Sequence, residues 1–388
     1  MAGAWKRYQV ATLIESGALV VGDGYRAKNS ELTSSGLPFA RVSNINAGFF
    51  FKDADYFPEE NLRLVGNKVS QPGDVVFTSK GTVGRFGFVS SDTPRFVYSP
   101  QLCFWRSVDR QLIDPRFLSF WMSGREFFIQ FRGVASQTDM ADYVSLTDQR
   151  RMHITLPPLP EQRRIVALLD QTFAAIATAK ANAEKNLQNA RALFESHLQS
   201  VFTRRGSGWV EKTVDTLSTN LDSKRIPITK SNRKAGSYPY YGASGIVDYV
   251  ADYIFEGDAL LVSEDGANLL MRSTPIAFSV SGKYWVNNHA HILKFENMAT
   301  QRFVEFYLES LKLDEYIRGA AQPKLTQKAL NSIPIPIPTT FEEQARIVEN
   351  LDSLYKETQR FSSIYERKLA ALDELKKSLL HQAFTGEL

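Results

Sequence analysis

The chain has 388 residues, of which 43% are hydrophobic and 23% are charged, and its formal net charge is +4 at pH 7. This length suffices for two domains, and the composition excludes disordered and collagen-like chains. No apolar run approaches the roughly 18–20 residues that cross a bilayer, and the opening MAGAWKRYQV lacks the apolar core of a signal peptide. The single cysteine, Cys103, excludes internal disulfides and multi-cysteine zinc sites. We therefore expect a cytoplasmic protein without membrane contacts, whose affinity for nucleic acid would have to come from local basic patches.

The first globular segment, residues 1–155, is predicted to be a mixed α/β domain. Its β-rich runs, such as GDVVFTS and FVYSPQLCFWR, are separated by Gly, Pro, Asn and Ser. An amphipathic stretch with helical periodicity, DPRFLSFWMSGREFFIQF, follows these runs. This order predicts a sheet with helices packed on it.

A basic stretch within this segment is a candidate DNA contact. Residues 75–91 read VVFTSKGTVGRFGFVSS, with three glycines and no acidic residue. Such a loop can approach a phosphate backbone or a groove closely, although the same glycines fit hairpin turns equally well. The DNA-binding residues predicted in this stretch are Ser79, Lys80, Thr82 and Arg85.

Residues 156–203 are predicted to form one long helix. Prolines at 157, 158 and 160 block helix formation upstream, and no later proline or glycine interrupts the segment. Apolar residues recur every seven positions along two seams, as in a coiled coil. One seam contains Val166, Phe173, Lys180, Leu187, Phe194 and Val201, and the other contains Leu169, Ile176, Ala183, Ala190 and His197. A continuous helix of this length is about 60 Å long and requires an apolar partner.

The second globular segment, residues 204–338, repeats the pattern of the first. The sequence QPGDVVFTSKGTVG at 71–84 is similar to FEGDALLVSEDGAN at 255–268. RFLSFWM at 116–122 is likewise similar to RFVEFYL at 302–308. We therefore predict a second mixed α/β domain.

Three polar stretches of this second segment are candidate DNA contacts. KRIPITKSNRK at 224–234 has five basic residues and no acid, which suits phosphates. VSEDGANLLMR at 262–272 and KYWVNNHAHILKF at 283–295 mix side chains that can read base edges. Solvated loops and polar turns between strands explain the same patterns. The predicted DNA-binding residues are Lys224, Arg225, Lys230, Arg233, Lys234, Glu264, Asp265, Asn268, Arg272, Lys283, Tyr284, Asn287, Asn288 and His289.

A histidine pair in the last of these stretches raises the question of a metal site. His289 and His291 would lie on the same face of a strand, but the sequence offers no evident third ligand. We therefore predict no metal site, and favour hydrogen bonds from these imidazoles to DNA or to the local fold.

The final segment, residues 339–388, repeats the long helix. EQARIVENLD at 343–352 matches EQRRIVALLD at 161–170 with a constant offset of 182, and each copy follows a proline-rich run. Its two seams contain Val348, Tyr355, Ser362, Leu369, Lys376 and Ala383, and Leu351, Thr358, Tyr365, Leu372 and Leu379. Roughly 140 residues separate the two helices, so they are not a simple hairpin. Each long helix is the other's nearest candidate partner.

No catalytic motif is evident along the chain. A DNA adenine methyltransferase needs a glycine-rich cofactor loop and an Asn-Pro-Pro-aromatic motif, whereas the only double proline is Pro157-Pro158, after Leu156. A P-loop is also excluded, since FSVSGKYW has Ala277 where the leading glycine belongs and Tyr284 where Ser or Thr belongs. We therefore predict no catalytic residue and no cofactor bound by this chain.

This order of segments resembles the DNA-specificity subunit of type I restriction-modification enzymes. The resemblance covers the whole chain and is most specific in the duplicated proline-to-helix motif and in the terminal LLHQAFTGEL. It implies an α/β (mixed α+β) fold with two target-recognition domains and a pseudo-twofold arrangement. The two long helices would form an antiparallel coiled coil, and each domain would read half of a split target in double-stranded DNA.

The resemblance also implies partners. Two methyltransferase subunits would dock on this scaffold and restriction subunits would join them, so S-adenosylmethionine, ATP and Mg are expected in those partners. The complex would be an adenine-N6 DNA methyltransferase and an ATP-dependent endonuclease, and this chain its non-catalytic member. The alternative is a coiled-coil adaptor whose globular domains bind protein or carbohydrate.

Overall fold

A computed structural model describes residues 5–46, 48–79, 84–134, 136–138, 141–206, 208–319 and 322–388. The chain divides into two compact units. Unit 1 comprises Met1–Asn182 together with Lys368–Leu388, and unit 2 comprises Ala183–Arg367. None of the described helices combines the length and the apolar character needed to cross a bilayer.

Each globular segment of the described chain contains both helices and strands. The helices are α1 (Val10–Glu15), α2 (Pro115–Ser123), α3 (Arg125–Val134), α4 (Leu146–Arg150), α5 (Leu159–Thr203), α6 (Val214–Leu217), α7 (Asn268–Met271), α8 (Met298–Ser310), α9 (Gln327–Asn331) and α10 (Phe341–Thr385). The strands before α5 are β1 (Lys6–Gln9), β2 (Leu19–Asp23), β3 (Leu37–Ala40), β4 (Tyr56–Phe57), β5 (Val75–Thr78), β6 (Phe86–Phe88), β7 (Val97–Tyr98), β8 (Leu102–Ser107), β9 (Ser136–Thr138), β10 (Ala141–Tyr143) and β11 (His153–Leu156). The strands after α5 are β12 (Trp209–Thr213), β13 (Ser218–Asn220), β14 (Ala235–Gly242), β15 (Gly245–Val250), β16 (Phe255–Glu256), β17 (Ala259–Ser263), β18 (Ala277–Val280), β19 (Lys283–Val286), β20 (Ala290–Phe295), β21 (Ile317–Arg318), β22 (Lys324–Leu325) and β23 (Pro334–Pro338).

A four-stranded sheet in the order β2-β8-β5-β6 is the centre of unit 1. Because side chains alternate across a strand, Phe77 and Trp105 face the core that holds the aromatic residues of α2 and α3. Their neighbours Val76 and Phe104 face a second apolar cluster on the opposite side. The central strands are therefore buried on both faces, which explains why they read as nearly continuous apolar runs.

One ion pair is buried inside unit 1. The Asp74 carboxylate is inaccessible to solvent and accepts from Arg106 Nε at 2.6 Å and Nη2 at 2.7 Å. It also accepts from the hydroxyl of Tyr98 at 2.5 Å. Burial, reinforced by the nearby Asp74 charge, raises the pKa of Tyr98 well above its ordinary value. The phenol therefore stays protonated and donates, and both carboxylate oxygens are satisfied.

Unit 2 has the same sheet topology as unit 1. Its central sheet has the order β13-β20-β17-β18, which corresponds strand for strand to β2-β8-β5-β6. The pairing between these strands is antiparallel in both units, as in the pairs Val76–Phe104 of unit 1 and Leu261–Ile292 of unit 2. Glu264 is the first residue after β17, as Ser79 is the first residue after β5. The sequence similarity between the two segments therefore reflects a duplicated fold.

The proline-rich run before α10 is an edge strand. Among the described strands, β23, with the sequence PIPIP, pairs only with β12. Prolines at alternate positions lack an N–H on one side only, so the strand can still bond to a neighbour on the other side. The intervening Ile335 and Ile337 are buried in the core of unit 2.

The two long helices are continuous and equal in length. α5 and α10 have 45 residues each and begin at positions related by the same offset of 182. Pro160 lies in the first turn of α5, where its missing N–H would have had no helical partner. The structure therefore confirms a long helix in each predicted segment, with α5 starting one residue before the last proline.

Segments of α5 and α10 pair antiparallel inside each unit. In unit 1, Lys180 bonds to Asp373 at 2.7 Å, and the carbonyl of Leu388 accepts from Arg164. In unit 2, the rings of Phe194 and Tyr355 lie 5.3 Å apart. The predicted seam carries this pairing, and the polar residue Lys180 is matched by a carboxylate instead of being left unpaired.

The repeated EQ dipeptide has a structural explanation. The buried side chain of Gln162 donates to the carbonyl of Pro157 at 2.8 Å, and that of Gln344 donates to the carbonyl of Pro338 at 2.8 Å. The preceding Glu161 forms an exposed pair with Arg164, whose hydrogen bonds hold the pKa of that carboxyl below its usual range. Each glutamine therefore fixes the entry of its helix to the strand before it.

The globular core of each unit contacts both long helices. In unit 1 the ring of Phe117 packs 5.3 Å from Phe384, at the end of α10. In unit 2 the corresponding Phe303 packs 5.4 Å from Phe202, at the end of α5. Each unit thus combines the start of the long helix that follows it in sequence with the end of the other long helix.

Candidate nucleic-acid interface

Four segments of unit 2 converge at the end of β17. The N–H of Glu264 donates to the carbonyl of His289 at 2.9 Å, and the N–H of Leu325 donates to the carbonyl of Glu264 at 2.8 Å. The Arg225 guanidinium reaches the carbonyl of Ala290 at 2.8 Å. The loop after β17, the start of β20, strand β22 and the turn at residues 222–225 are therefore neighbours.

A buried cluster of charged side chains connects these segments. Arg225 lies 2.6 Å from Glu264 and 3.5 Å from Asp222, and Lys324 lies 3.1 Å from the other oxygen of Glu264. His291 is fully buried, with Nδ1 2.5 Å from Asp222. Burial alone would raise the pKa of Asp222, but the hydrogen bonds from His291 and from the backbone N–H of Ile292 lower it on balance. The cluster thus holds ionised carboxylates inside the domain, each with cationic or hydrogen-bonding partners.

The same cluster has the ligand types of a metal site. Ligand atoms of Asp222, Glu264 and His291 lie within 4.8 Å of one another. However, Nδ1 of His291 bonds to Asp222 and Nε2 bonds to the carbonyl of Leu325 at 2.8 Å. Arg225 and Lys324 already neutralise Glu264. The arrangement is that of a salt-bridge cluster, in which a metal would have to displace existing bonds.

A second histidine lies at the rim of the cluster. Nδ1 of His289 is 2.9 Å from each carboxylate oxygen of Asp265, and 49% of the His289 side chain is exposed. The backbone N–H of His289 donates to the side-chain oxygen of Asn287 at 2.8 Å. The neighbouring Asn288 is exposed. His289 and His291 therefore have separate carboxylate partners.

The basic stretch 224–234 contains both exposed and engaged side chains. Lys224, Lys230 and Lys234 are exposed. Arg233 pairs with Asp248 at 3.1 Å and stacks over the ring of Tyr240 at 4.4 Å. The lysines are thus presented to solvent, whereas Arg225 and Arg233 hold the loop in place.

The predicted residues on β19 differ in exposure. Lys283 is exposed and lies 4.5 Å from the ring centroid of Tyr253, whose hydroxyl helps to raise the pKa of the lysine. Tyr284 is buried, and burial raises its pKa to about 12. Lys283 is presented to a partner, and Tyr284 packs in the interior.

The predicted residues of α7 have structural partners. The Asn268 side chain caps the following turn by bonding to both backbone groups of Thr274. Arg272 has a left-handed backbone conformation and donates to the carbonyls of Leu308 and Leu311. Burial lowers the pKa of this guanidinium. Arg272 therefore connects the end of α7 to the end of α8.

The segment after β5 in unit 1 contains the predicted residues Ser79, Lys80, Thr82 and Arg85. Ser79 is buried, and its hydroxyl accepts from the thiol of Cys103 at 3.2 Å. Arg85 is exposed, and its guanidinium donates to the carbonyls of Val42 at 3.2 Å and Ile45 at 3.3 Å. Lys80 and Thr82 lie outside the described residues. Of the candidates in this stretch, Arg85 is therefore the one that the structure shows at the surface.

Replacement of Lys80 or Arg85 by alanine is expected to weaken or relax recognition of one half-target only. For a guanidinium that contacts a base, the loss should be about 1–3 kcal/mol. Measured affinities for duplexes altered in one half-target at a time would test this. If both variants bound and discriminated normally, the loop would not belong to the recognition site.

Comparison with known proteins identifies the repeated domain. A family model described as the type I restriction modification DNA specificity domain matches this chain twice, over residues 16–188 and 206–365. These two matches correspond to the two copies of the fold and to the first part of the long helix that follows each.

Individual relatives carry matching descriptions. A putative type I restriction enzyme specificity subunit of Haemophilus influenzae, S.HindORF215P, is 32% identical over 209 residues, which are 49% of this chain and 52% of the relative. This chain thus aligns with about half the length of that protein. The putative MjaX specificity subunit of Methanocaldococcus jannaschii is 21% identical over 99% of this chain and 93% of its own.

Solved structures share the fold. A chain described under "Structural basis underlying complex assembly and conformational transition of the type I R-M system" superposes with a TM-score of 0.78 at 18% identity, covering 100% of both chains. The HsdS subunit from Thermoanaerobacter tengcongensis superposes with a TM-score of 0.62 at 18% identity, over 99% of this chain and 97% of its own. At 18% identity, these superpositions show a shared fold and nothing further.

Proposed function

The chain belongs to the type I restriction-modification DNA specificity family, and on that premise we propose that it selects the DNA target of a multisubunit methyltransferase and restriction enzyme. Each globular domain reads one half of a bipartite sequence in double-stranded DNA. The observation that supports this most directly is the duplicated fold, because two equivalent domains in one chain give two equivalent reading sites.

The proposal extends to the partners. Two methyltransferase subunits dock on the scaffold, one for each repeat, and restriction subunits join the assembly. The methyltransferase subunits bring S-adenosylmethionine and transfer the methyl group to adenine N6, whereas the restriction subunits use ATP and Mg for cleavage. This chain contributes affinity for DNA and determines which DNA sequence the complex recognises.

The purified chain alone is expected to show neither methyl transfer nor cleavage, and both should appear when the partner subunits from the same host are added. The reason is the lack of a cofactor loop and of a P-loop in its sequence. Transfer of labelled methyl groups from S-adenosylmethionine to DNA is the measurement. Methyl transfer by the verified pure chain would contradict the proposal.

A gel-shift series distinguishes this function from an adaptor for protein or carbohydrate. Binding of duplex DNA by the chain with its methyltransferase subunits should weaken steeply as salt is raised, since phosphate contacts release counterions. The absence of any salt-dependent DNA binding by the assembled complex would favour the adaptor.

A further inference from the structure

We propose that His289 is a specificity-determining residue that accepts a hydrogen bond from the amino group of an adenine or cytosine in the second half-target. This inference rests on the proposed function and names one contact within it. Asp265, the buried cluster of Asp222, Arg225, Glu264 and His291, and the half-exposed Lys324 that pairs with Glu264 are the positioning residues for this contact.

The chemistry follows from the orientation of the His289 ring. A carboxylate only accepts hydrogen bonds, so Nδ1, which lies 2.9 Å from both oxygens of Asp265, carries the hydrogen. Nε2 is the other ring nitrogen, and no hydrogen bond joins it to the described part of the chain. In the neutral ring this nitrogen has a lone pair and no hydrogen. Its complement in the major groove is an amino group, which adenine presents at N6 and cytosine at N4.

The backbone at His289 is fixed by two hydrogen bonds. The backbone N–H of His289 donates to Asn287, and its carbonyl accepts from the N–H of Glu264. Glu264 is in turn fixed by Arg225 and Lys324. Base reading requires a donor or acceptor that is held in place before DNA arrives, because each rotamer ordered on binding lowers the affinity.

The comparison with unit 1 indicates what the charged cluster is for. At the end of strand β5, unit 1 has Ser79, whose hydroxyl accepts from Cys103, and the nearby ion pair joins Lys68 to Asp23 with both side chains partly exposed. Among the described residues at this end of the unit 1 sheet the Asp23 carboxylate is half exposed, so the fold is built there without the buried carboxylates of unit 2. Buried ion pairs add little net stability over apolar packing, and one attested use is to fix a unique geometry. In unit 2 that geometry includes the Asp265 and His289 pair at the rim.

The surface near this pair suits DNA. Lys324 borders the cluster with half of its side chain exposed, and Lys224 next to Arg225 is exposed as well. These ammonium groups can lie against phosphates while the imidazole reaches a base edge. The Asp265 carboxylate is only 16% exposed and faces the imidazole, so it adds little repulsion toward the backbone of DNA.

A double-mutant cycle between protein and DNA tests the contact. The full chain is assembled with its methyltransferase subunits, and its methylated motif is determined by sequencing. Each adenine or cytosine of the second half-target is then replaced, one at a time, by a purine or pyrimidin-2-one nucleoside that lacks the amino group. We expect one replacement to lower the affinity of the parent about tenfold, the worth of one good hydrogen bond. His289→Leu should show the same loss on unmodified DNA and no further loss on that analogue.

Two matched variants separate reading from positioning. His197→Leu removes an exposed histidine of α5 in the same unit and should keep the parental discrimination at every position. Asp265→Asn retains an oxygen that accepts from Nδ1 and should keep most of the discrimination, whereas Asp265→Leu should lose it at the same base pair as His289→Leu. Analogues in the first half-target should affect all of these proteins equally.

Three results would overturn the inference. His289→Leu could keep the parental profile at every position of a bipartite motif, which would remove His289 from the recognition site while leaving the proposed function intact. If His289→Leu instead abolished an affinity difference between guanine and 7-deazaguanine, which lacks the N7 acceptor, the ring would be an imidazolium that donates to guanine N7. A uniform loss on all sequences with a shallower salt dependence would assign His289 to a phosphate. By contrast, a parent complex without any split motif would contradict the proposed function itself.

Discussion

Residues 1–203 alone are expected to form a twofold dimer that directs methylation to an inverted repeat of the first half-target. In the full chain, unit 1 is completed by residues 368–388, which include the end of α10. The offset of 182 makes the end of α5 equivalent to that segment. A second copy of the fragment can therefore supply the missing helix, and twofold protein symmetry is mirrored by a palindromic DNA site.

The contacts that the second copy would make can be read from the repeat. Phe202 of one copy would replace Phe384 against Phe117 of the other. Arg191 is equivalent to Asp373, so Lys180 would face a like charge where the full chain has an ion pair. The dimer should therefore be weaker than the parent pairing, and methyltransferase subunits that bridge both copies should stabilise it.

Methylome sequencing of a host that expresses the fragment with its methyltransferase partner is the measurement. The expected result is a palindromic split motif with a spacing close to that of the parent. A folded fragment that binds the partner and yet directs methylation to a non-palindromic site would show that the two halves are not equivalent.

Asp74→Ala is expected to destabilise unit 1 by about 3–5 kcal/mol, because it leaves the Arg106 guanidinium buried without its counter-ion. The substitution also removes the acceptor of the Tyr98 hydroxyl. Denaturant unfolding followed by the fluorescence of the buried Trp105 would report the change.

Asp55→Ala is the matched control in the same unit. Asp55 pairs with Arg41 at 2.6 Å, but about half of each side chain is exposed. Water screens such a pair, so its loss should cost about 0–1 kcal/mol. Equal effects of the two substitutions would show that burial of Asp74 and Arg106 does not govern the stability of this unit.

The long helices could be predicted from sequence because their signals are local and repeated. Seven-residue spacing, the absence of glycine and the proline-rich run upstream all lie within one segment. Because this segment occurs twice, the prediction of a helix in one copy supports the same prediction in the other copy. The two mixed α/β domains could be predicted at the level of class for the same reason, since strand and helix patterns recur in the same order.

The charged cluster could not be predicted, since it depends on side chains that are distant in sequence. Asp222 precedes His291 by 69 positions, and Lys324 belongs to yet another strand. The sequence singled out the two histidines without an evident third partner, and the fold supplies carboxylates to both. Strand register, which brings these residues together, is set by long-range pairing that one sequence does not display. The assignment of individual DNA-contacting residues stays a prediction.

Unit 1 contains the end of α10, and unit 2 contains the end of α5. This exchange of helix ends also determines when each unit can finish folding during synthesis. Unit 1 contains Arg164, whose partner at the Leu388 carbonyl lies 224 residues later in the chain. At about 5–20 residues per second, the ribosome needs on the order of 10–40 s after residue 203 to make that partner segment. During this interval Phe117 lacks the Phe384 ring that packs against it in the full chain, and the end of α5, with Phe202, is the equivalent segment that has already been made. Nascent chains on neighbouring ribosomes can therefore pair in place of the correct intramolecular contact, so the internal symmetry that gives one chain two reading sites also makes its assembly sensitive to the local concentration of unfinished copies.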